Sequence, residues 1–114
     1  MEAEMIMRLA IISILAFIMV SLGVCQIMKK DGPVGFDNLI DPPKKDEITD
    51  IITWNKKHGI MWISYGICIE LGFLLGYVMP IDAIKMIFMT AGIVVPLPFM
   101  FMRHKSLVKK YKNV

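Results

Sequence analysis

Cysteine and histidine are scarce in this chain, which has two of each among its 114 residues. Cys25 and Cys68 both lie inside long apolar runs, so we interpret them as buried small apolar residues rather than as a disulfide. We expect His58 and His104 to stand at opposite ends of one membrane face, without cysteines or acids at metal-ligand spacing. The sequence therefore excludes a disulfide scaffold and predicts no metal site.

The sequence also lacks the short motifs of common enzyme sites. It has no glycine-rich phosphate loop, no zinc-binding H-E-x-x-H and no G-x-S-x-G nucleophile turn. No combination of Cys or Ser with His and Asp indicates nucleophilic catalysis. Internal repeats, which many transporters carry, are not apparent either. We therefore predict a protein that is not an enzyme and that uses no cofactor.

Apolar residues, by contrast, make up 56% of the chain, and its mean hydropathy is +0.61. They gather in three runs, which we predict to be transmembrane helices over residues 9–28, 59–79 and 83–102. Twenty helical residues rise about 30 Å, the thickness of a bilayer hydrocarbon core. The predicted fold class is all-α: an integral membrane three-helix bundle formed by residues 1–114 as a single domain.

The residues at the ends of these runs allow further predictions. A signal peptide is the competing interpretation of the first run, but Glu2 and Glu4 give it an acidic leader, and the run is long. Only residues 80–82 separate the second and third spans, so these two must form a tight antiparallel hairpin. Pro96 and Pro98 each remove a backbone donor and should bend or loosen the third span in its final third.

Basic residues are distributed unevenly between the two predicted membrane faces. Three spans place the amino terminus and the turn at 80–82 on one face, which has Arg8 and Lys85. The remaining eleven of the thirteen basic residues lie in the loop at 29–58 and in the tail at 103–114. The positive-inside rule then predicts an outward amino terminus and a cytoplasmic loop and tail, in a multi-pass protein of the cytoplasmic membrane.

The cytoplasmic loop divides into two parts. Residues 31–43 hold two Gly and three Pro and should form turns. From Asp46 onward, apolar residues recur at helical spacing, with acids at the start and lysines at the end. We predict a short amphipathic helix over 46–57, bent near His58-Gly59 into the second span. This helix would either cover the cytoplasmic ends of the spans or dock a partner.

The tail has five basic side chains and no acidic one. We expect them to bind anionic lipid headgroups, because each is worth about 1 kcal/mol near an anionic surface. Nucleic-acid binding is the other interpretation of such a run, but twelve residues beside a span fit a lipid anchor better. The five membrane-surface residues are Arg103, Lys105, Lys109, Lys110 and Lys112.

Glu70 is the only charged residue of the second run. It lies eleven residues from Gly59, about 16 Å along the helix and near the bilayer midplane. No basic residue is predicted at this depth, and the possible partners are the neutral Ser13, Ser21 and Thr90. Desolvation without a counter-charge favours the protonated carboxyl. Three roles stay open: a structural hydrogen bond, a proton-coupling or ion site, and a pore-lining group.

A stripe of small residues marks a different face of the second run. Cys68, Gly72 and Gly76 recur at four-residue steps and include a G-x-x-x-G pattern. Small residues allow two helix backbones to approach closely. We predict that this face packs a neighbouring helix, either within the chain or in a second copy, and it is the preferred contact for self-association.

One segment also resembles a family. Within residues 35–66, a G-[YF] loop comes before a Lys- and acid-rich segment, and a glycine then opens the next span. The residues that carry this order are Gly35-Phe36-Asp37, Trp54-Asn55-Lys56-Lys57-His58-Gly59 and Tyr65-Gly66. This order resembles small bacterial membrane proteins and, distantly, the membrane immunity proteins that protect sporulating bacteria from a secreted killing factor. The resemblance covers under a third of the chain and transfers no functional residues. It implies a toxin-neutralising or sensing role.

These observations predict an interaction, accessory or immunity-type subunit of the membrane. The alternative is a small oligomeric proton- or cation-coupled transporter or channel that uses Glu70. In either case the partners are the lipid bilayer and a second copy or another membrane protein.

Overall fold

The computed structural model of the chain describes residues 3–35 and 43–112. These residues form four α-helices and a single turn of 3₁₀ helix at Lys45–Glu47. Three stretches of helix are long and apolar enough to cross a membrane, the third of them made of two helices in succession. The all-α class is confirmed. The helices are α1 (Ala3–Met28), α2 (Ile51–Tyr77), α3 (Asp82–Val94) and α4 (Pro96–Tyr111).

The central helix is α2, which contacts all three other helices. Glycines at 23 and 59 face each other across the α1–α2 contact, as do Ala16 and Gly66 farther along, so these two helices run antiparallel. A side chain added at Gly66 would have its Cβ 2.8 Å from the backbone oxygen of Ala16. The small residues at these positions, three glycines and one alanine, let the backbones of α1 and α2 approach closely.

On its other side, α2 packs against α3 through the predicted stripe of small residues. A Cβ on Gly72 would lie 2.8 Å from the Cα of Gly92, and one on Gly76 would lie 2.8 Å from the backbone oxygen of Lys85. The backbone of Cys68 also borders Gly92. Because α3 of the same chain packs on Gly72 and Gly76, this part of the stripe is not available for self-association. Cys25 and Cys68 are free thiols and both are exposed, so the prediction that they are buried is wrong.

The structure differs from the prediction at the start of α2. This helix begins at Ile51 and continues through His58 and Gly59, so the separate surface helix over 46–57 and its bend do not form. One cause is local and one is tertiary. Asp50 caps the helix by accepting from the backbone N–H of Thr53, and Gly59 fits inside the α1–α2 contact. Residues 36–42 of the predicted turn segment lie outside the described residues.

The third helical stretch is interrupted at Val95, between α3 and α4 and next to the first of the two prolines, although Val95 itself keeps α-helical backbone angles. The last residue of α3 is Val94 and the first of α4 is Pro96. Beside this break, the Tyr65 hydroxyl donates a 2.9 Å hydrogen bond to the backbone oxygen of Ile93. From there α4 continues to Tyr111, so the predicted tail is mostly helical, and Leu107 within it is only 1% exposed.

Large apolar side chains cover the outside of the helices. Phe17 of α1 is 71% exposed, and Phe99 and Met102 of α4 are 66% and 65% exposed. The buried core lies instead along α2, from Trp54 to Phe73. Exposed apolar surface on this scale is costly in water and favourable in hydrocarbon.

Candidate functional site

Two groups of buried or partly buried polar side chains lie between these helices. The first is the Glu70 contact between α1 and α2. The second, which we call the polar cluster, lies at the end of the molecule where α1 finishes and α2 starts, and it consists of Gln26, Trp54, Asn55, His58 and His104.

Glu70 faces α1, where one of its three predicted partners meets it. The Ser13 hydroxyl donates a 3.0 Å hydrogen bond to Glu70 Oε1. The other oxygen, Oε2, is buried and has no hydrogen-bond partner within the described part of the chain. Thr90 lines a groove with Arg8 and Ile69.

Asn55 is the hub of the polar cluster. It is fully buried, and its amide oxygen accepts from the backbone N–H of Val34 at 2.8 Å. Its amide nitrogen donates to the backbone oxygens of Lys29 and Gly32, both at 2.9 Å. Next to it, Trp54 Nε1 donates to the oxygen of Val34 at 2.8 Å. Two consecutive side chains of α2 therefore hold the segment that follows α1 in one conformation.

His58 and His104 form a hydrogen-bonded pair between α2 and α4, with His58 Nε2 2.9 Å from His104 Nδ1. The expectation that they stand apart is corrected here, because α4 runs back along α2 as a helix. His58 Nδ1 lies 2.9 Å from the carbonyl oxygen of Trp54. A carbonyl only accepts, so Nδ1 bears the proton, and in a neutral ring Nε2 then accepts from His104 Nδ1–H.

The indole ring of Trp54 lies beside both imidazoles of this pair. The centroid of the Trp54 ring lies 4.2 Å from that of His58 and 6.1 Å from that of His104. Within residues 3–35 and 43–112, no group of three or more His, Cys, Asp and Glu side chains could hold a metal ion. The arrangement is suited to joining two helices.

Gln26 is the unexplained member of the polar cluster. It lies in the last turn of α1 and is only 2% exposed. It shares the α2-facing side of α1 with Ala16 and Gly23. Its amide nitrogen and oxygen have no hydrogen-bond partner among the described residues. Buried polar atoms of this kind are commonly satisfied by an ordered water.

The basic residues of the predicted anchor have two kinds of environment. Arg103 and three of the lysines are exposed, whereas Lys112 lies 3.7 Å from the Glu47 carboxylate. The backbone N–H of Thr49 also donates to the oxygen of Tyr111 at 2.8 Å, so the end of α4 is tied to the segment before α2. Hydrogen bonds from the Thr53 hydroxyl and backbone lower the pKa of the nearby Asp50. The exposed lysines are Lys105, Lys109 and Lys110.

The polar cluster is the functional feature that sequence reasoning missed. A signal for half of it exists, because Trp54, Asn55 and His58 share one face of a helix that starts at Ile51. The contribution of His104 has no local signal, since it depends on how α4 packs. Comparison with known protein families, with curated proteins and with solved structures found no match to this chain.

Proposed function

We propose that this chain is a small non-enzymatic protein of the cytoplasmic membrane that acts by binding another membrane component, as an interaction, accessory or immunity-type subunit. One observation carries the proposal. Apolar side chains such as Phe17 cover the outside of the helices, while buried polar groups such as Asn55 bond to neighbouring backbone. A surface of that kind is suited to lipid and to other membrane helices.

The orientation follows from the charges. Antiparallel packing puts the ends of α1 and α4 and the start of α2 at one end of the molecule, and eleven of the thirteen basic residues are near it in sequence. With this end in the cytoplasm, the amino terminus and the turn between α2 and α3 face outward.

The immunity-type role rests on the resemblance of residues 35–66, the segment in which the polar cluster has three of its members. A protein that neutralises or senses a secreted toxin needs a defined binding surface and no catalytic site. A challenge assay tests this role: bacteria that are sensitive to a secreted killing factor should survive it when they express the chain. Sensitivity unchanged at equal expression would contradict the immunity role.

The broader proposal is tested by cross-linking in native membranes, followed by purification of the tagged chain in mild detergent. We expect the cross-linked mass to report either a second copy or a different membrane protein. Recovery of the chain as an uncross-linked monomer, or its release into the soluble fraction without detergent, would contradict the proposal.

The alternative is a proton- or cation-coupled carrier or channel, and one observation favours it. Glu70 Oε2 is buried inside a helix contact and has no hydrogen-bond partner among residues 3–35 and 43–112, which leaves an acceptor open for a proton or a cation. Flux into proteoliposomes under a pH gradient tests this role. A carrier should lose proton-linked uptake in Glu70→Gln and keep it in Glu47→Gln, a control carboxylate at the end of the molecule. Equal flux in both variants would exclude the carrier role.

A further inference from the structure

A groove runs between α2 and α4 below the proline break. Its volume is about 610 Å³, within the range of small-molecule sites. Ile60, Ser64 and Cys68 of α2 form one wall, and Pro96 and Phe99 of α4 belong to the other. In each helix, the residues that line the groove are spaced three or four positions apart and therefore lie on one face. Most of these residues are apolar, so the walls of the groove are largely apolar.

Two cations border the same groove, Lys57 on α2 and Arg103 on α4. Since α4 runs back along α2, these residues lie together at the basic end of the molecule, and Cys68 and Val95 lie at the other end of the groove. Lys57 Nζ is 5.6 Å from the centroid of the Tyr111 ring. No acidic side chain is among the described residues that line the groove, so its charge is complementary to an anion.

The length of the groove matches one leaflet of a bilayer. Cys68 follows Lys57 by eleven residues, which corresponds to about 16 Å of helix. The hydrocarbon core is about 30 Å thick, so one leaflet supplies about half of that. A ligand with an anionic head at Lys57 and an apolar chain that ends near Cys68 would therefore lie parallel to the lipid.

We propose that this groove binds one anionic phospholipid of the cytoplasmic leaflet. Its phosphate contacts Lys57 and Arg103, and one acyl chain lies along Ser64 and Phe99. Basic pockets between transmembrane helices on the cytoplasmic side bind anionic headgroups in this way. The inference rests on the proposed membrane placement and names a defined lipid site, beyond the general attraction of the tail to the membrane surface.

Native mass spectrometry of the purified chain in detergent tests the site, with phosphatidylglycerol and phosphatidylcholine of matched chains as probes. We expect wild-type protein to retain phosphatidylglycerol preferentially. The double variant Lys57→Gln/Arg103→Gln should bind it roughly thirtyfold more weakly, given the contribution of each cation near anionic lipid. The matched control, Lys105→Gln/Lys109→Gln, removes the same charge from residues that line a different pocket and should keep the preference.

A third variant tests the apolar wall. Ser64→Phe places a ring in the groove, so it should reduce binding of both lipids while both cations remain. Thermal unfolding in detergent shows whether each variant is folded. If a variant is not folded, the double variant Lys57→Arg/Arg103→Lys replaces it, because it keeps both charges and should keep the preference for phosphatidylglycerol.

Three outcomes would overturn the site. The first is an equal loss of preference in the tail control, which would indicate general surface charge. The second is full competition by glycerol phosphate, which would indicate an anion site without a chain. The third is a cross-linked dimer that closes the groove and excludes lipid. The proposed function fails separately, when the chain leaves the membrane without detergent.

Discussion

Replacing Asn55 with Ala should release the segment that follows α1. The substitution removes three hydrogen bonds, to the N–H of Val34 and to the oxygens of Lys29 and Gly32. Each is worth about 1 kcal/mol net, so the segment should lose about 3 kcal/mol of local stability. Since about 1.4 kcal/mol corresponds to a factor of ten, the Val34 amide should exchange with solvent roughly a hundredfold faster.

Hydrogen exchange of the detergent-solubilised chain, followed by mass spectrometry of the peptide over residues 29–35, measures this change. Lys56→Ala is the matched control, because Lys56 is the adjacent α2 residue and is exposed. The control should exchange like wild type. Equal protection of Val34 in the Asn55→Ala variant and in wild type would refute the role of Asn55 as the hub of the polar cluster.

Three further predictions concern the helix contacts. Gly59→Ala should lower the free energy of unfolding in detergent by about 1–3 kcal/mol, because the added Cβ meets the Gly23 backbone. Gly32→Ala is the control and should be tolerated, because a Cβ at Gly32 is 3.9 Å from its nearest neighbour. The helix-capping hydrogen bonds from Thr53 lower the pKa of Asp50. Protection of the Thr53 amide from hydrogen exchange should therefore be complete above about pH 4 and fall as the pH drops further. The Asp50→Asn variant should not show this pH dependence, and identical pH profiles in variant and wild type would contradict the cap. Nitrogen-15 NMR of neutral His58 should show a protonated Nδ1 and an accepting Nε2, and His104→Ala should shift only the Nε2 signal; an unprotonated Nδ1 would contradict the assignment.

The fold class could be predicted because it depends on local composition. Three apolar runs of about twenty residues leave few alternatives to membrane-length helices, and Pro96 marks the break between α3 and α4 on backbone chemistry alone. The bounds of α2 were harder to predict, because the charges between Asp46 and Lys57 resemble those of an independent helix. The cap at Asp50 and the packing of Gly59 on α1 decide the start and continuity of α2, and packing cannot be deduced from periodicity.

Some residues of the candidate sites could be predicted from the sequence, and others could not. Glu70 stands out in sequence because a lone carboxyl in an apolar run is costly, and Ser13 was among its possible partners. The pairing of His58 with His104 was not predictable, because it joins residues 46 positions apart whose contact depends on the course of α4. The groove with Lys57 and Arg103 depends on the same packing.

Cysteine accessibility in intact cells tests the central claim most directly, that the chain crosses the membrane three times with its basic end inside. In a Cys25→Ala/Cys68→Ala background, single cysteines replace Ala83, near the turn between α2 and α3, and Ser106, in α4; both positions are exposed. A membrane-impermeant maleimide should label Ala83→Cys in intact cells and Ser106→Cys only after lysis. Labelling of Ser106→Cys in intact cells, or of neither site until lysis, would contradict the claim.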